Sequence, residues 1–169
     1  MTGNESGVPE VSPLGFEDFE PGRVFRHHWG RTVTEADVVL FATQTHCYQP
    51  QFTNRDYARH LGFPEWPVPE TLVFAIVLGL TVEDLSESGG SFLGAPRIEH
   101  RAPVAVGDTL YATSTVVERR LSRSRPGWGV VTWRTIGTNQ KGEPVLDYVR
   151  SSLVADSSRC HRSPAIQEA

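Results

Sequence analysis

The sequence predicts an α+β domain in which a curled antiparallel sheet wraps around one long buried helix. Three observations lead there. The segment Glu70-Thr-Leu-Val-Phe-Ala-Ile-Val-Leu-Gly-Leu80 is apolar on every side, as a helix is when other elements enclose it. After Gly89-Gly90 the periodicity changes to extended segments at about 92–103, 109–121, 129–138 and 144–155. Helices first and an antiparallel run afterwards describe one layer of helix on one sheet.

The elements follow in chain order. Phe16 to Phe19 sets two aromatics around acids, and Pro21-Gly22 turns the chain. Arg23 to Val33 reads as one extended segment anchored by Phe25 and Val33. Thr34 with Asp37 three residues on is a capping-box-like start for a helix from about Glu35 to His46. Pro50 bounds that helix, and Asn54 can cap a short one through Tyr57 and Leu61. Pro67 and Pro69 precede the central apolar run, and Thr81-Val-Glu-Asp-Leu85 extends it to helical length. Among the strands, Val131, Trp133 and Thr135 alternate with Val130, Thr132 and Arg134. Asn139-Gln-Lys-Gly-Glu143 is a hairpin connection in which Gly142 is free to take positive φ.

Length and charge bound the function. A chain of 169 residues and 18.7 kDa suits one domain, expected over 13–156 with mobile tails at 1–12 and 157–169. Sixteen Lys and Arg against twenty Asp and Glu give a net charge of −4, which argues against a general nucleic-acid or membrane-surface binder. Cys47 and Cys160 make no disulfide framework and no structural zinc pattern. The start lacks the basic and apolar stretches of a signal peptide, and no apolar run reaches membrane-spanning length. The expectation is a cytoplasmic protein without metal or cofactor.

Four stretches carry a resemblance. They are Phe16-Glu-Asp-Phe-Glu-Pro-Gly22, Gly30-Arg-Thr-Val-Thr-Glu-Ala-Asp37, Ala102-Pro-Val-Ala-Val-Gly-Asp-Thr-Leu110 and Ser122-Arg-Ser-Arg-Pro-Gly127. Together they span most of 15–155, and the chain resembles the MaoC-like enoyl-thioester hydratases and dehydratases, in the branch of mesaconyl-CoA hydratase-like proteins. The resemblance implies a hot-dog fold, a homodimer with sheets joined edge to edge, and a thioester pocket near the interface. The family's catalytic segment typically reads Gly-Asp-x-Asn-Pro-x-His, or Asn-x-Asn-Pro-x-His in the nearer branch. The matching stretch here is His46-Cys-Tyr-Gln-Pro-Gln-Phe52. That alignment sets Cys47 at the Asp or Asn position, Gln49 at the second Asn and Phe52 at the histidine. Phenylalanine moves no proton, so the family's water chemistry is not expected to carry over. The family also starts its buried helix with a small residue, where this chain has Val68-Pro-Glu-Thr71.

The candidate site follows from those positions. Glu70, at the mouth of an apolar helix, can act as acid or base, or simply complement the helix dipole. His46 and Tyr48 are candidate proton or hydrogen-bond partners, and Gln49 a candidate carbonyl holder. Cys47, Gln51, Phe52, Trp66, Thr71 and Leu72 are expected to line the substrate pocket, with Cys47 also readable as a small apolar filler. Arg55, Arg59, Arg123 and Arg125 can hold phosphates of a thioester arm, or be solvated surface. His27 and His28 should face opposite ways on a strand, and His100 beside Glu99 reads as strand surface.

Three functions are compatible with this pattern. In the first, the scaffold is repurposed away from water addition. It would act in secondary metabolism on an apolar enoyl, polyene or polyketide-type intermediate, for example in a cyclisation, by shape and hydrogen bonding. The second is an enoyl-CoA hydratase or dehydratase that uses other residues, Glu70, His46 or Cys47. The third is a non-catalytic acyl-binding partner subunit. In each, the ligand is a small apolar molecule, free or carried as a CoA or carrier-protein thioester.

Overall fold

The computed structural model describes residues 14–87 and 90–160. The expected tail at 1–12, and the later one from 161 on, lie outside the described residues. A 3₁₀ turn (Phe16–Asp18) opens the described chain. Then come β1 (Val24–Arg26), β2 (Arg31–Thr32), α1 (Glu35–Thr45), α2 (Pro50–Thr53), α3 (Arg55–His60), α4 (Glu70–Gly79) and α5 (Val82–Leu85). The long strands β3 (Phe92–His100), β4 (Thr109–Leu121), β5 (Trp128–Thr138) and β6 (Pro144–Ala155) complete it. The sheet runs β1-β4-β5-β6-β3, every pair antiparallel, with β2 also on β4.

Local chemistry explains the ends of these elements. The Asp37 amide donates to Thr34 Oγ1, and the Thr34 amide donates to Asp37 Oδ2 at 2.8 Å, closing the capping box that starts α1. The helix stops at His46, which takes the left-handed conformation with φ 57°. Asn54 Oδ1 accepts the Tyr57 amide at 3.0 Å and caps α3. The hairpin between β5 and β6 closes as expected, with Gly142 at φ 78°.

The stretch from Arg23 to Val33 is not one extended segment, as the sequence suggests, but two short strands. His27 turns inward between them, its Nδ1 2.5 Å from Asp84 Oδ2 and its Nε2 2.9 Å from Ser114 Oγ. Satisfying a buried imidazole takes precedence over continuing the ladder. Gly30 then passes under the Tyr111 ring, where a Cβ would sit 2.4 Å from its edge. Strand β3 likewise ends at His100 rather than near 103, because Pro103 has no N–H to offer the ladder.

Helix α4 lies across the concave face of the sheet, burying Leu72, Val73, Ile76 and Val77. Each such side chain is worth roughly 1.5–3 kcal/mol of transfer free energy. At Gly137 on β5 a Cβ would stand 3.0 Å from Val77 Cγ2, so glycine lets helix and sheet approach closely. The apolar interior falls into two clusters. One gathers Phe52, Val68, Leu72, Val77 and Tyr148 around α4; the other gathers Phe16, Phe19, Phe25, Leu85, Val131 and Trp133.

Buried polar side chains lie across the same inner face. His27 and Thr135 both bond Ser114 Oγ, Thr135 at 2.8 Å. Arg150, 2% exposed, donates to Thr81 Oγ1 at 3.1 Å and lies over the Trp133 ring at 5.0 Å. No carboxylate among the described residues pairs with it, and burial holds its guanidinium below its ordinary basicity. At the far end, the Ser157 amide and hydroxyl donate to Glu17 Oε2 at 3.0 and 2.7 Å, tying residue 157 to the 3₁₀ turn.

Candidate active site

The segment that links α1 to α3 folds back over the N-terminus of α4. Pro50 starts α2 at its first position, where its missing N–H costs nothing. One turn later Phe52 is buried in the α4 cluster at 6% exposure. The Trp66 indole donates to the Gln51 carbonyl at 3.1 Å and pins α2 to the stretch that leads into α4. Pro69 occupies the N-cap of α4 and supplies no side-chain cap. Its carbonyl takes the Leu72 and Val73 amides at 2.9 and 3.0 Å, leaving the Glu70 and Thr71 amides as the first orphan donors of the helix.

A crevice of about 70 Å³ opens at this point. Phe52, Val68, Val73 and Val104 give it apolar walls, and Gln51, Glu70 and His100 give it polar ones. That volume holds a small group rather than a chain. Phe52 forms a wall, while Tyr48 and Leu72 lie elsewhere.

The other predicted residues divide by where the fold sends them. His46 and Tyr48 stack edge to face, ring centroids 5.6 Å apart, with Tyr48 57% exposed on the solvent side of the loop. The half-buried Cys47 thiol donates to Gln49 Oε1 at 3.0 Å, so these two side chains engage each other. Thr71 is exposed, and Leu72 borders a separate shallow groove with Trp29 and Ile76. Trp66 lines a neighbouring crevice of about 130 Å³, where the Arg55 guanidinium lies over its ring at 4.9 Å. Arg59 borders the same crevice, and Arg55 is ion-paired with Glu35 there. Of the ten predicted residues, Gln51, Phe52 and Glu70 share one cavity.

His100 is the residue that sequence reasoning passed over. A lone histidine beside an acid on a strand looks like surface, and its side of the crevice is set by a partner more than two dozen residues away. Among the described residues no group of three or more His, Cys, Asp and Glu gathers to hold a metal ion. No helix among them is long and apolar enough to cross a membrane.

A curled antiparallel sheet around one apolar helix, with a crevice at that helix's N-terminus, defines a hot-dog domain of the MaoC-like class. The family model for mesaconyl-CoA hydratase matches residues 11–163. The chain belongs to that family. It is 39% identical over 140 residues to mesaconyl-CoA hydratase of Haloarcula hispanica, covering 82% of this chain and 39% of that protein. It is 38% identical over 142 residues to beta-methylmalyl-CoA dehydratase of Chloroflexus aurantiacus, with coverage of 82% and 39%. Among solved structures, a MaoC domain protein dehydratase from Chloroflexus aurantiacus superposes with a TM-score of 0.81 at 34% identity, covering 90% of this chain and 43% of that one. The chain therefore spans about two fifths of the length of the curated relatives it matches.

Proposed function

We propose that this domain adds water to, or removes it from, the double bond of a short enoyl- or hydroxyacyl-CoA thioester. One observation carries the reading. The Glu70 carboxylate stands at the mouth of an apolar-walled crevice, beside the orphan amides of α4. An amide pair at a positive helix end stabilises the oxyanion that a thioester carbonyl becomes. A carboxylate alongside can take a proton from water as its oxygen reaches the β-carbon. The names of the relatives, a hydratase and a dehydratase of CoA thioesters, point to the same chemistry. Phe52 removes one possible proton carrier, but Glu70 brings another to the same crevice. The volume favours a short acyl group.

The active unit is a pair of hot-dog domains. Strand β3 lies at the sheet edge with Phe92, Leu93 and Ile98 exposed, and an open edge of this kind invites pairing. A second copy of this chain is the simplest partner.

A second reading draws on the loop itself. Phe52 is buried and the Cys47 thiol is engaged by Gln49, so residues 46–53 place no buried ionisable group in the crevice. That lining suits positional catalysis without water, such as a cyclisation, or plain acyl binding.

The test is hydration of crotonyl-CoA and mesaconyl-CoA, followed by loss of enoyl-thioester absorbance and by the mass of the product. The expected result is gain of one water, with kcat lowered at least about tenfold in Glu70→Gln. Thioester binding with no gain or loss of water on either probe or its hydroxyacyl counterpart would overturn the proposal and favour the second reading.

A further inference from the structure

We infer that His100 is a catalytic residue of this site, the proton donor that works opposite the Glu70 carboxylate. The inference rests on the hydratase or dehydratase reading above and adds the second half of its proton chemistry. Three features place His100 there.

The first is position. His100 is the last residue of β3, exposed at the sheet edge, and it lines the same crevice as Glu70, Gln51 and Phe52. The chain then leaves the sheet and is clamped to the stretch that enters α4. The Val68 amide donates to the Val104 carbonyl at 2.9 Å, the Val106 amide donates to the Trp66 carbonyl at 2.9 Å, and Pro67 bridges Ala105 antiparallel. The clamped stretch runs directly into Glu70, the first residue of α4, and Glu70 and His100 line one crevice. The clamp holds both ionisable side chains on one opening.

The second is availability. Among the described residues the His100 imidazole makes no side-chain hydrogen bond or ion pair, while its backbone pairs with Leu146 in the ladder. Its neighbours on either side are committed: Glu99 pairs with Arg97 and Arg101, and Arg101 also with Asp147. His27 is bonded on both ring nitrogens, and His28 lies near Glu83. An imidazole free of side-chain partners, lining the same apolar-walled crevice as a carboxylate, is placed for proton transfer rather than for packing.

The third is chemical need. Hydration requires one proton to leave water and one to reach the α-carbon. In the proposed step Glu70 takes a proton from water while the water oxygen bonds to the β-carbon. The pair of electrons from the double bond moves to the α-carbon and the thioester oxygen. The imidazolium of His100 then gives its proton to the α-carbon, and the proton on Glu70 returns the pair to its starting state through solvent. One water is added across one double bond, and dehydration is the reverse.

The experiment compares wild type with His100→Gln and His100→Asn on the hydration assay, with and without added imidazole. It also follows exchange of the α-proton of the hydroxyacyl thioester in D₂O. His100 is exposed, so both variants are expected to melt like wild type. The expected result is a kcat about 100-fold lower with KM little changed, α-proton exchange lost in parallel, and partial rescue by imidazole, which a merely structural role would not show. Wild-type turnover with both variants within twofold, or slow variants that keep α-proton exchange and ignore imidazole, would overturn the inference while leaving the hydratase reading intact. Absence of any wild-type water chemistry would take down both.

Discussion

His27 and Asp84, 57 residues apart in the chain, meet at 2.5 Å, and the other ring nitrogen of His27 lies 2.9 Å from Ser114 Oγ. This contact joins the β1–β2 connection to α5 and to the middle of the sheet. Burial pushes the imidazole below the ordinary histidine value of 6.5, against the pull of the Asp84 carboxylate. The folded state therefore holds His27 neutral where the unfolded chain begins to protonate. Its contribution is fully present above about pH 6.5 and declines as pH falls toward the lower folded value. Thermal melts between pH 8 and pH 5 should show Tm falling on the acid side. His27→Gln should flatten that fall and cost about 1–3 kcal/mol at pH 8. A pH profile identical to wild type would exclude this role.

Asp147 is lowered too, but by its partners rather than by burial. It is 2% exposed and receives Arg97, Arg101 and Arg134 at 2.9, 3.0 and 2.7 Å. Hydrogen bonds from Arg134 lead in holding its carboxyl far below the usual range, so its contribution is fully present above the ordinary carboxylate value of 3.8 and is lost progressively as pH falls below it. Asp147→Asn keeps the shape but leaves three guanidinium groups facing one another. Because those groups are about half exposed, water screens part of the repulsion. The expected loss is about 1–3 kcal/mol, smaller than for a fully buried pair. Denaturant titrations in low and high salt should show the deficit shrinking with salt.

Phe52 is a wall of the crevice and a member of the α4 cluster, so one substitution probes both roles. Phe52→Ala should cost about 3–5 kcal/mol, and Phe52→Leu less than about 1.5 kcal/mol. The alanine variant should also admit bulkier acyl groups, read as a lower KM for branched over straight thioesters. A stability loss under 1 kcal/mol for Phe52→Ala would show that the ring is not packed as described.

Cys47 should prove chemically quiet. Its thiol hydrogen goes to Gln49 Oε1 at 3.0 Å, and it follows the C-terminal end of α1, the wrong end of a helix for a thiolate nucleophile. Cys47→Ala should keep activity within about threefold, and mass spectrometry during turnover should find no acyl adduct. An adduct on Cys47 would replace proton transfer with covalent catalysis.

Strands β4 and β6 run over the residues that alternation predicts, because period-two patterning and the Gly142 turn are local signals. The ends of α1 and α3 were legible for the same reason, in Thr34 and Asn54. The break at His27 was not, since it depends on Asp84 and Ser114, far off in sequence. The site divides along the same line. Glu70 could be placed at a helix mouth from Pro67 and Pro69 alone. His100 reaches that mouth only because the 100–106 segment is clamped beside 66–68, a tertiary pairing that no spacing announces. The left-handed turn at His46, which no local spacing announces, sets the exposed His46 and Tyr48 rings against each other.

The row of buried hydroxyls, imidazole and guanidinium that crosses the sheet separates the Phe52 and Val77 side from the Phe16 and Trp133 side. Substitutions on the two sides share few partners, so their free-energy effects should sum with little coupling. This gives the chain two independent reserves. A substitution around α4 draws on that cluster's packing, while the aromatic end keeps its own contacts. A scaffold partitioned in this way accommodates changes of specificity without each one threatening the whole.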